Sequence, residues 1–200
     1  MWWIAAVASV LPGAWLLALT LGAFGGLGAN PVERLLHESG QIAMIALLIA
    51  LTVTPLRRLT GWNGVIRLRR MLGLFAFFYA SVHVMIWLGI DLWWDFSLIL
   101  DDLLKRPYIG AGAVAWLVLL ALAGTSFNAA MRRLGKNWVR LHRLVYVAAV
   151  LALIHLIWLT RADYREAWIF GGVLAVLLGA RVFDAMNRRL RRGAPARTAH

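Results

Sequence analysis

Two histidines lie deep within apolar segments that are long enough to cross a membrane. His83 lies in AFFYASVHVMIWLGI and His155 in LVYVAAVLALIHLIWLT. An ionisable side chain in a membrane span is costly, so it usually faces the protein interior and has a partner. Two imidazoles on different helices match the axial ligands of one haem, and filling both axial positions favours electron transfer. The pair therefore predicts a haem site; the alternative is two histidines that only pack and hydrogen-bond inside the protein.

The two histidines also lie at similar predicted depth. His83 is roughly 18 Å along a helix that begins near Met71, and His155 is roughly 24 Å along a helix that begins near residue 139, at 1.5 Å per residue. Both helices are predicted to run outward. A haem between them would therefore lie in the outer half of the membrane.

His142 is predicted on the same helix as His155, roughly 20 Å further inward. It indicates a second, inner redox centre, as a haem ligand or beside a flavin; the alternative is a solvated interfacial residue. An inner haem would need Met71, another residue or water as its sixth ligand. Four nearby arginines would complement haem propionates or a flavin phosphate. They are Arg67, Arg70, Arg140 and Arg143.

The composition limits the class of protein. Of 200 residues, 62% are hydrophobic and 15% are charged, which leaves room for about six spans of about 20 residues and little else. The absence of cysteine excludes disulfides, thiolate metal sites and cysteine-ligated iron–sulfur clusters. A net charge of +12 in so apolar a chain indicates membrane orientation rather than nucleic-acid binding.

The apolar runs predict an all-α integral membrane protein with a six-helix bundle. The helices are expected at about 2–22, 39–56, 71–90, 108–127, 139–160 and 167–183. Residues 1–183 would form one transmembrane haem-binding domain, followed by a basic cytoplasmic tail at 184–200. Most of the 21 basic residues follow the second and fourth helices or lie in the tail. By the positive-inside rule, both termini are cytoplasmic.

The largest outer segment, residues 91–108, combines aromatic and charged side chains, as transient interfaces do. Asp101 and Asp102 are its candidates for steering a partner. The alternative is that Trp93 and Trp94 only anchor the preceding helix at the membrane interface.

Six motifs occur together in one family of membrane proteins, in the same order. They are LGANPVERLLHESG, LTVTPLRRLTG, IRLRRMLGLFAFFYASVHV, KRPYIGAGA, TSFNAAMRRLGKNWVRLHRLVYVAAVLALIH and RADYRE. In these motifs the chain resembles the MsrQ family, haem-binding membrane subunits of the bacterial periplasmic methionine sulfoxide reductase system. The wider family is the ferric-reductase-like transmembrane domain. The similarity runs from Gly28 to Arg181.

The resemblance implies a multi-pass, haem b protein of the bacterial inner membrane. It implies that electrons pass to a periplasmic molybdopterin methionine sulfoxide reductase, which repairs oxidised envelope proteins. The quinone pool or a cytosolic flavin reductase would supply the electrons, and FMN would be a further cofactor. The family's histidines correspond to His83, His142 and His155, and His37 matches a family histidine of less clear role.

The sequence leaves two other functions open. One is a ferric-reductase or oxidase-like transmembrane electron carrier with a different acceptor. However, the third helix carries one histidine where NADPH oxidases carry two, and no glycine-rich dinucleotide loop occurs for NADPH. The other is a cofactor-free transporter or assembly factor. We expect an electron-transfer subunit rather than a stand-alone enzyme; the number of haems and the oligomeric state stay open.

Overall fold

The computed structural model describes residues 2–160 and 163–193, which form helices joined by turns. The α-helices in this part of the chain are α1 (Trp2–Thr20), α2 (Pro31–Thr60), α3 (Leu68–Ile86), α4 (Phe96–Lys105), α5 (Pro107–Gly124), α6 (Asn128–Leu134), α7 (Lys136–His142), α8 (Val145–Leu159) and α9 (Arg165–Gly193).

Six helical segments among the described residues are long and apolar enough to cross a membrane. They are Trp3–Thr20, Pro31–Thr60, Asn63–Asp91, Pro107–Gly124, Lys136–Leu159 and Arg165–Asn187. The predicted all-α architecture with six spans is confirmed. Helix α9 continues to Gly193, so the predicted domain boundary after residue 183 falls inside a helix. The tail from residue 194 onward lies outside the described residues.

Helix α2 is longer than predicted at both ends. It begins at Pro31, where the Asn30 side chain accepts a hydrogen bond from the Glu33 N–H, and Pro is favoured in a first helical turn. It then continues past Pro55 to Thr60, so the predicted end near Pro55 is wrong. Pro55 has no N–H for the Leu51 carbonyl. The Arg181 guanidinium of α9 donates to that carbonyl instead, which supplies the partner that an apolar membrane interior cannot.

The connecting segments contain structure that hydropathy did not reveal. The amphipathic α4 and the short α6 were not predicted. A π-helical turn at Trp87–Asp91 extends the third span. The predicted fifth helix is divided into α7 and α8 by a turn at Arg143 and Leu144. These elements are too short or too mixed in polarity to give the signal of a membrane span.

Four helices form a ring that defines the centre of the bundle. Helix α2 packs against α3, α3 against α5, α5 against α8, and α8 against α2, so α3 and α8 lie diagonally across the ring. Helix α1 packs on α3, and α9 covers α2 and α8.

Small residues let these helices approach closely. Ala76 of α3 and Ala148 and Ala149 of α8 are almost completely buried within the apolar core, which also contains Met44 and Leu47 of α2. Membrane helices generally use small residues in this way, because lipid provides no hydrophobic drive for helix association.

The side chain of Tyr79 joins α1 to α3. The Tyr79 hydroxyl donates to the Ser9 carbonyl at 2.5 Å and accepts the Gly13 N–H at 3.1 Å. In a regular helix, Gly13 N–H would donate directly to Ser9 O. The hydroxyl is therefore inserted into the hydrogen-bond ladder of α1 beside Pro12, and we call this contact the α1–α3 joint.

Candidate functional site

The structure brings His83 and His155 together from opposite corners of the helical ring. His83 lies near the end of α3, and His155 lies on α8. Their ring centres are 6.3 Å apart and the ring planes are inclined by 79°. The two residues that the sequence paired by depth alone are therefore neighbours in space.

The His83 imidazole is held through its Nδ1 atom. Nδ1 lies 3.1 Å from the Leu36 carbonyl oxygen and 3.1 Å from the Ser39 hydroxyl, both on α2. Ser39 is buried, and its hydroxyl donates to the same Leu36 carbonyl at 3.2 Å. Because a carbonyl only accepts, Nδ1 must carry the proton. This assignment leaves the Nε2 lone pair for a ligand.

The His155 imidazole is held in the same way from a different helix. Its Nδ1 lies 2.7 Å from the carbonyl oxygen of Tyr108, in the first turn of α5. The same argument assigns the proton to Nδ1 and the lone pair to Nε2. A metal-bound histidine typically donates its other ring N–H to a carbonyl or carboxylate, which fixes its tautomer and orientation. Both imidazoles therefore have the supporting contacts expected of metal ligands.

Two glycines make room for the imidazoles against helix backbones. A Cβ atom at Gly40 of α2 would lie 3.2 Å from His83 Cε1. A Cβ atom at Gly112 of α5 would lie 2.8 Å from His155 Nδ1, which is closer than real Cβ contacts allow. Any residue larger than glycine at either position would therefore reduce the space that the imidazole occupies.

The donor set and its spacing fit a haem iron. Two metal–imidazole bonds of about 2 Å each would place the ring centres roughly 6 Å apart, and the observed separation is 6.3 Å. The carbonyls that accept from the two Nδ1 atoms belong to Leu36 on α2 and Tyr108 on α5, the two ring helices that do not carry the histidines. All four helices of the ring therefore take part in positioning the pair.

His142 has different surroundings from the central pair. Its ring stacks on Trp138 at 3.9 Å, its Nδ1 lies 3.2 Å from the Trp138 carbonyl, and its Nε2 lies 3.4 Å from the Ser126 hydroxyl. Trp138 in turn donates to the Thr125 carbonyl at 2.9 Å. The structure thus places His142 against the end of α5 and the turn that follows it, where Nε2 faces a hydroxyl rather than a second imidazole.

The four predicted arginines are divided between two places. Arg67 and Arg70 line a groove between α1 and α3, together with Met71, the candidate sixth ligand of an inner haem. Arg140 belongs to α7, and Arg143 lies in the turn between α7 and α8. Only the second pair shares the helix–turn segment of His142.

Several residues that support the site were not singled out from the sequence. Ser39 and Gly40 on α2, and Gly112 on α5, contact the two imidazoles. Arg69 lies within electrostatic range of His142. Glycine and serine are common in membrane helices for packing reasons, so their types alone did not distinguish them.

His37 belongs to a polar cluster beside the central pair rather than to the pair itself. Its Nε2 lies 3.1 Å from Gln41 Nε2 and 3.5 Å from a Glu166 carboxylate oxygen. Gln41 donates to the same carboxylate. The cluster links α2 to the start of α9, and it follows directly after Leu36, which supports His83.

The outer segment at 91–108 is largely the amphipathic helix α4. The Ser97 hydroxyl and the N–H groups of Ser97 and Leu98 donate to Asp95, and they hold the pKa of that carboxyl below its usual range. The ionised Asp95 carboxylate caps and stabilises the start of α4 at neutral pH. This stabilisation is lost as the pH falls through the lowered pKa.

Asp101 and Asp102 of this segment have different environments. Asp101 is exposed and lies 2.7 Å from Lys105 Nζ. Asp102 is buried, and accepts from Trp87 Nε1 at 3.5 Å and from Arg106. Asp102 therefore joins α4 to the end of the third span, and the expectation that it faces a partner is wrong.

Comparisons with known proteins place the chain in a family. The profile of the family described as ferric reductase like transmembrane component matches residues 39–153. The heme-binding subunit MsrQ of a protein-methionine-sulfoxide reductase from Xanthomonas euvesicatoria pathovar vesicatoria is 51% identical over 168 residues, or 84% of this chain and 77% of that protein. A protein of the same name from Rhodospirillum rubrum is 45% identical over 191 residues, or 95% of this chain and 91% of that protein. No solved structure shows a significant match. The chain therefore belongs to the ferric reductase like transmembrane component family and, within it, to the MsrQ family.

Proposed function

We propose that this chain binds haem b between His83 and His155 and conducts electrons across the bacterial inner membrane. One observation carries the proposal: two imidazoles, 6.3 Å apart, each have Nδ1 tied to a backbone carbonyl and Nε2 left for a metal. A haem held by these two imidazoles would supply one-electron transfer. The relatives' printed name, heme-binding subunit, agrees with this cofactor.

The orientation of the bundle gives the proposed direction of electron flow. We infer from the basic connections after α2 and around α6 and α7, by the positive-inside rule, that both termini are cytoplasmic. His83 then lies close to the outer end of α3, and Tyr108, which supports His155, begins α5 at the same side. An electron held between the two histidines would therefore be close to the periplasmic surface.

We infer the acceptor from the names of the relatives. The relatives are named as subunits of a protein-methionine-sulfoxide reductase. We infer that this chain delivers electrons to a periplasmic methionine sulfoxide reductase that carries molybdopterin, and so supports the repair of oxidised envelope proteins. The chain itself would be the electron-transfer subunit, and the partner would perform the reduction.

The inner half of the path is assigned to the His142 segment. We propose that His142, with Arg140 and Arg143, receives electrons from the quinone pool or a cytosolic flavin reductase. The stacked Trp138–His142 pair and two adjacent cations suit a planar anionic cofactor such as FMN. Because Nε2 of His142 faces Ser126, we propose one haem rather than two.

The visible spectrum of the purified protein tests the haem site. His83→Ala and His155→Ala should each abolish or grossly change the low-spin haem spectrum, because each removes one of the two imidazoles that would hold the iron. His37→Ala is the matched control and should keep the spectrum, since His37 belongs to the neighbouring polar cluster. Unchanged haem content and spectrum in both ligand variants would refute the proposal.

The inner assignment is tested with the same preparations. His142→Ala should keep the spectrum of the haem between His83 and His155. It should slow haem reduction by a donor added at the cytoplasmic face, and lower any bound flavin. A variant with normal flavin content and a normal rate of reduction would show that His142 is only interfacial.

A further inference from the structure

A groove of about 720 Å³ separates part of α1 from α3. Helix α1 contributes Val10, Gly13 and Ala14, and α3 contributes an apolar wall of Leu74, Phe75 and Phe78. Val10 and Phe78 are both more than half exposed, so the groove is open along its side. We call it the α1–α3 groove.

The groove has a closed end and a charged end. The α1–α3 joint, where the Tyr79 hydroxyl contacts Ser9 and Gly13, closes the end nearer to the histidine pair. Arg67 and Arg70 line the other end, just before and within the first turn of α3. The rise from Arg67 to Tyr79 is roughly 18 Å. This length is close to one leaflet of the membrane, about 15 Å, which is half of the hydrocarbon thickness.

The two arginines keep their charge available. The Arg70 guanidinium donates to the Asn128 side-chain oxygen at 2.8 Å, which is a neutral partner. Arg67 is exposed and makes no ion pair with the described residues. None of the described residues that line the groove is acidic. Two cations without an acidic partner among the described residues therefore lie at one end of the α1–α3 groove. The groove itself is apolar and about as long as one leaflet of the membrane is thick.

We propose that the α1–α3 groove binds one anionic phospholipid. One acyl chain packs against Leu74, Phe75 and Phe78, and the phosphate pairs with Arg67 and Arg70. Basic pockets between membrane helices are a recognised way of holding anionic lipid head groups. The lipid would add to the packing of α1, which among the described residues contacts the ring mainly through α3 and less through α2. This site is separate from the haem proposal and does not depend on it.

Native mass spectrometry of the whole chain, delipidated in detergent, tests the site. The probes are dioleoyl-phosphatidylglycerol and dioleoyl-phosphatidylcholine, which differ in net charge but not in acyl chains. Phosphatidylglycerol should bind more tightly. Arg67→Gln combined with Arg70→Gln should weaken its binding about 30-fold, from the usual worth of two basic residues near a membrane surface.

The charge-matched control is Arg132→Gln combined with Arg133→Gln, which removes two exposed cations from α6 and should leave the affinity unchanged. Val10→Trp should also weaken binding, because it fills the groove and keeps both charges. Excess inorganic phosphate should not displace the lipid, since the acyl chain holds it.

Four results would overturn the proposal. Equal affinity for the two lipids would remove the role of charge. An equal loss in the α6 control would make the effect non-specific. Phosphatidylglycerol binding that survives Val10→Trp would show that the lipid does not bind in the groove. A quinone retained in place of the phospholipid would show that the groove has a different occupant.

Discussion

Gly112 sets how closely α5 can approach the His155 imidazole. The ring lies so near the α5 backbone that a Cβ atom at this position would be 2.8 Å from Nδ1. The same Nδ1 donates to the Tyr108 carbonyl, one helical turn earlier. The glycine and the carbonyl together hold the ring in place, so the direction of Nε2 depends on a residue with no side chain.

We predict that Gly112→Ala displaces His155 and disrupts the haem site. The added methyl group would collide with Nδ1 and break the contact with Tyr108, and losing such a support typically costs 10–100-fold in metal affinity. The measurement is the ratio of haem to protein, with the low-spin spectrum. Gly110→Ala is the control on the same helix, because a Cβ atom there would meet nothing within 4 Å. Equal haem content in the two variants would contradict this account.

The sequence could identify the histidines but not their supports. His83 and His155 stand out because ionisable residues in apolar runs are rare. Ser39 and Gly112 do not, since they contact the imidazoles only after four helices have assembled. His142 was predicted at the correct end of its span, but its stacking on Trp138 depends on how the segment folds.

At the level of elements, Pro55 shows how a helix can continue through a residue that should end it. The predicted end of the second helix at about residue 56 lies next to Pro55, which cannot donate to the Leu51 carbonyl. Arg181 does so from α9, and its guanidinium also donates to the Leu177 carbonyl at 2.6 Å and to the Tyr146 hydroxyl at 3.1 Å. A partner from a distant helix cannot be read from the local pattern around Pro55.

We predict that Arg181→Met destabilises the protein by about 1–3 kcal/mol, the usual cost of leaving a buried polar group unpaired. Pro55→Ala should reduce this loss, because the new N–H can donate to Leu51 O in the regular helical pattern. The measurement is the free energy of unfolding in detergent for the wild type, both single variants and the double variant. Equal losses from Arg181→Met with and without Pro55→Ala would exclude the proposed link.

The helices that hydropathy predicted differ in length and amphipathicity from the helices that it missed. Long apolar runs identified all six spans. Helix α4 was not predicted because its apolar residues form only one face, beside the charged Asp101 and Lys105, as in a helix that lies along an interface. The division between α7 and α8 was not predicted because the turn consists of Arg143 and Leu144, and neither is a glycine or a proline that would indicate a turn.

At the scale of the whole molecule, the bundle is asymmetric along the membrane normal. The central histidine pair lies near the ends of α3 and α8, on the same side as α4 and the His37–Glu166 cluster. Most cations of the described residues lie at the other side, in the connections after α2 and around α6 and α7. An electron acceptor that binds near α4 would therefore be close to the haem site, whereas a donor at the basic side would have most of the membrane to cross.

We expect the surface formed by α4 to steer the proposed periplasmic acceptor through Asp101. This carboxylate is exposed, and its contact with Lys105 is a surface pair of small energetic value. Asp102 is unsuitable as a probe, because it is buried and holds α4 to Trp87 and Arg106. We predict that Asp101→Lys slows haem reoxidation by the purified reductase several-fold at low ionic strength, with an unchanged spectrum.

The effect of Asp101→Lys should shrink as salt is added, because charges steer the encounter more than they hold the complex. Stopped-flow reoxidation across a series of salt concentrations measures it. Asp163→Lys is the matched control: it reverses a carboxylate in the next connection on the same side, where Asp163 accepts the Arg165 N–H. A wild-type rate for Asp101→Lys at every salt concentration, with a slower rate for Asp163→Lys, would place the docking surface beside α9 instead of α4.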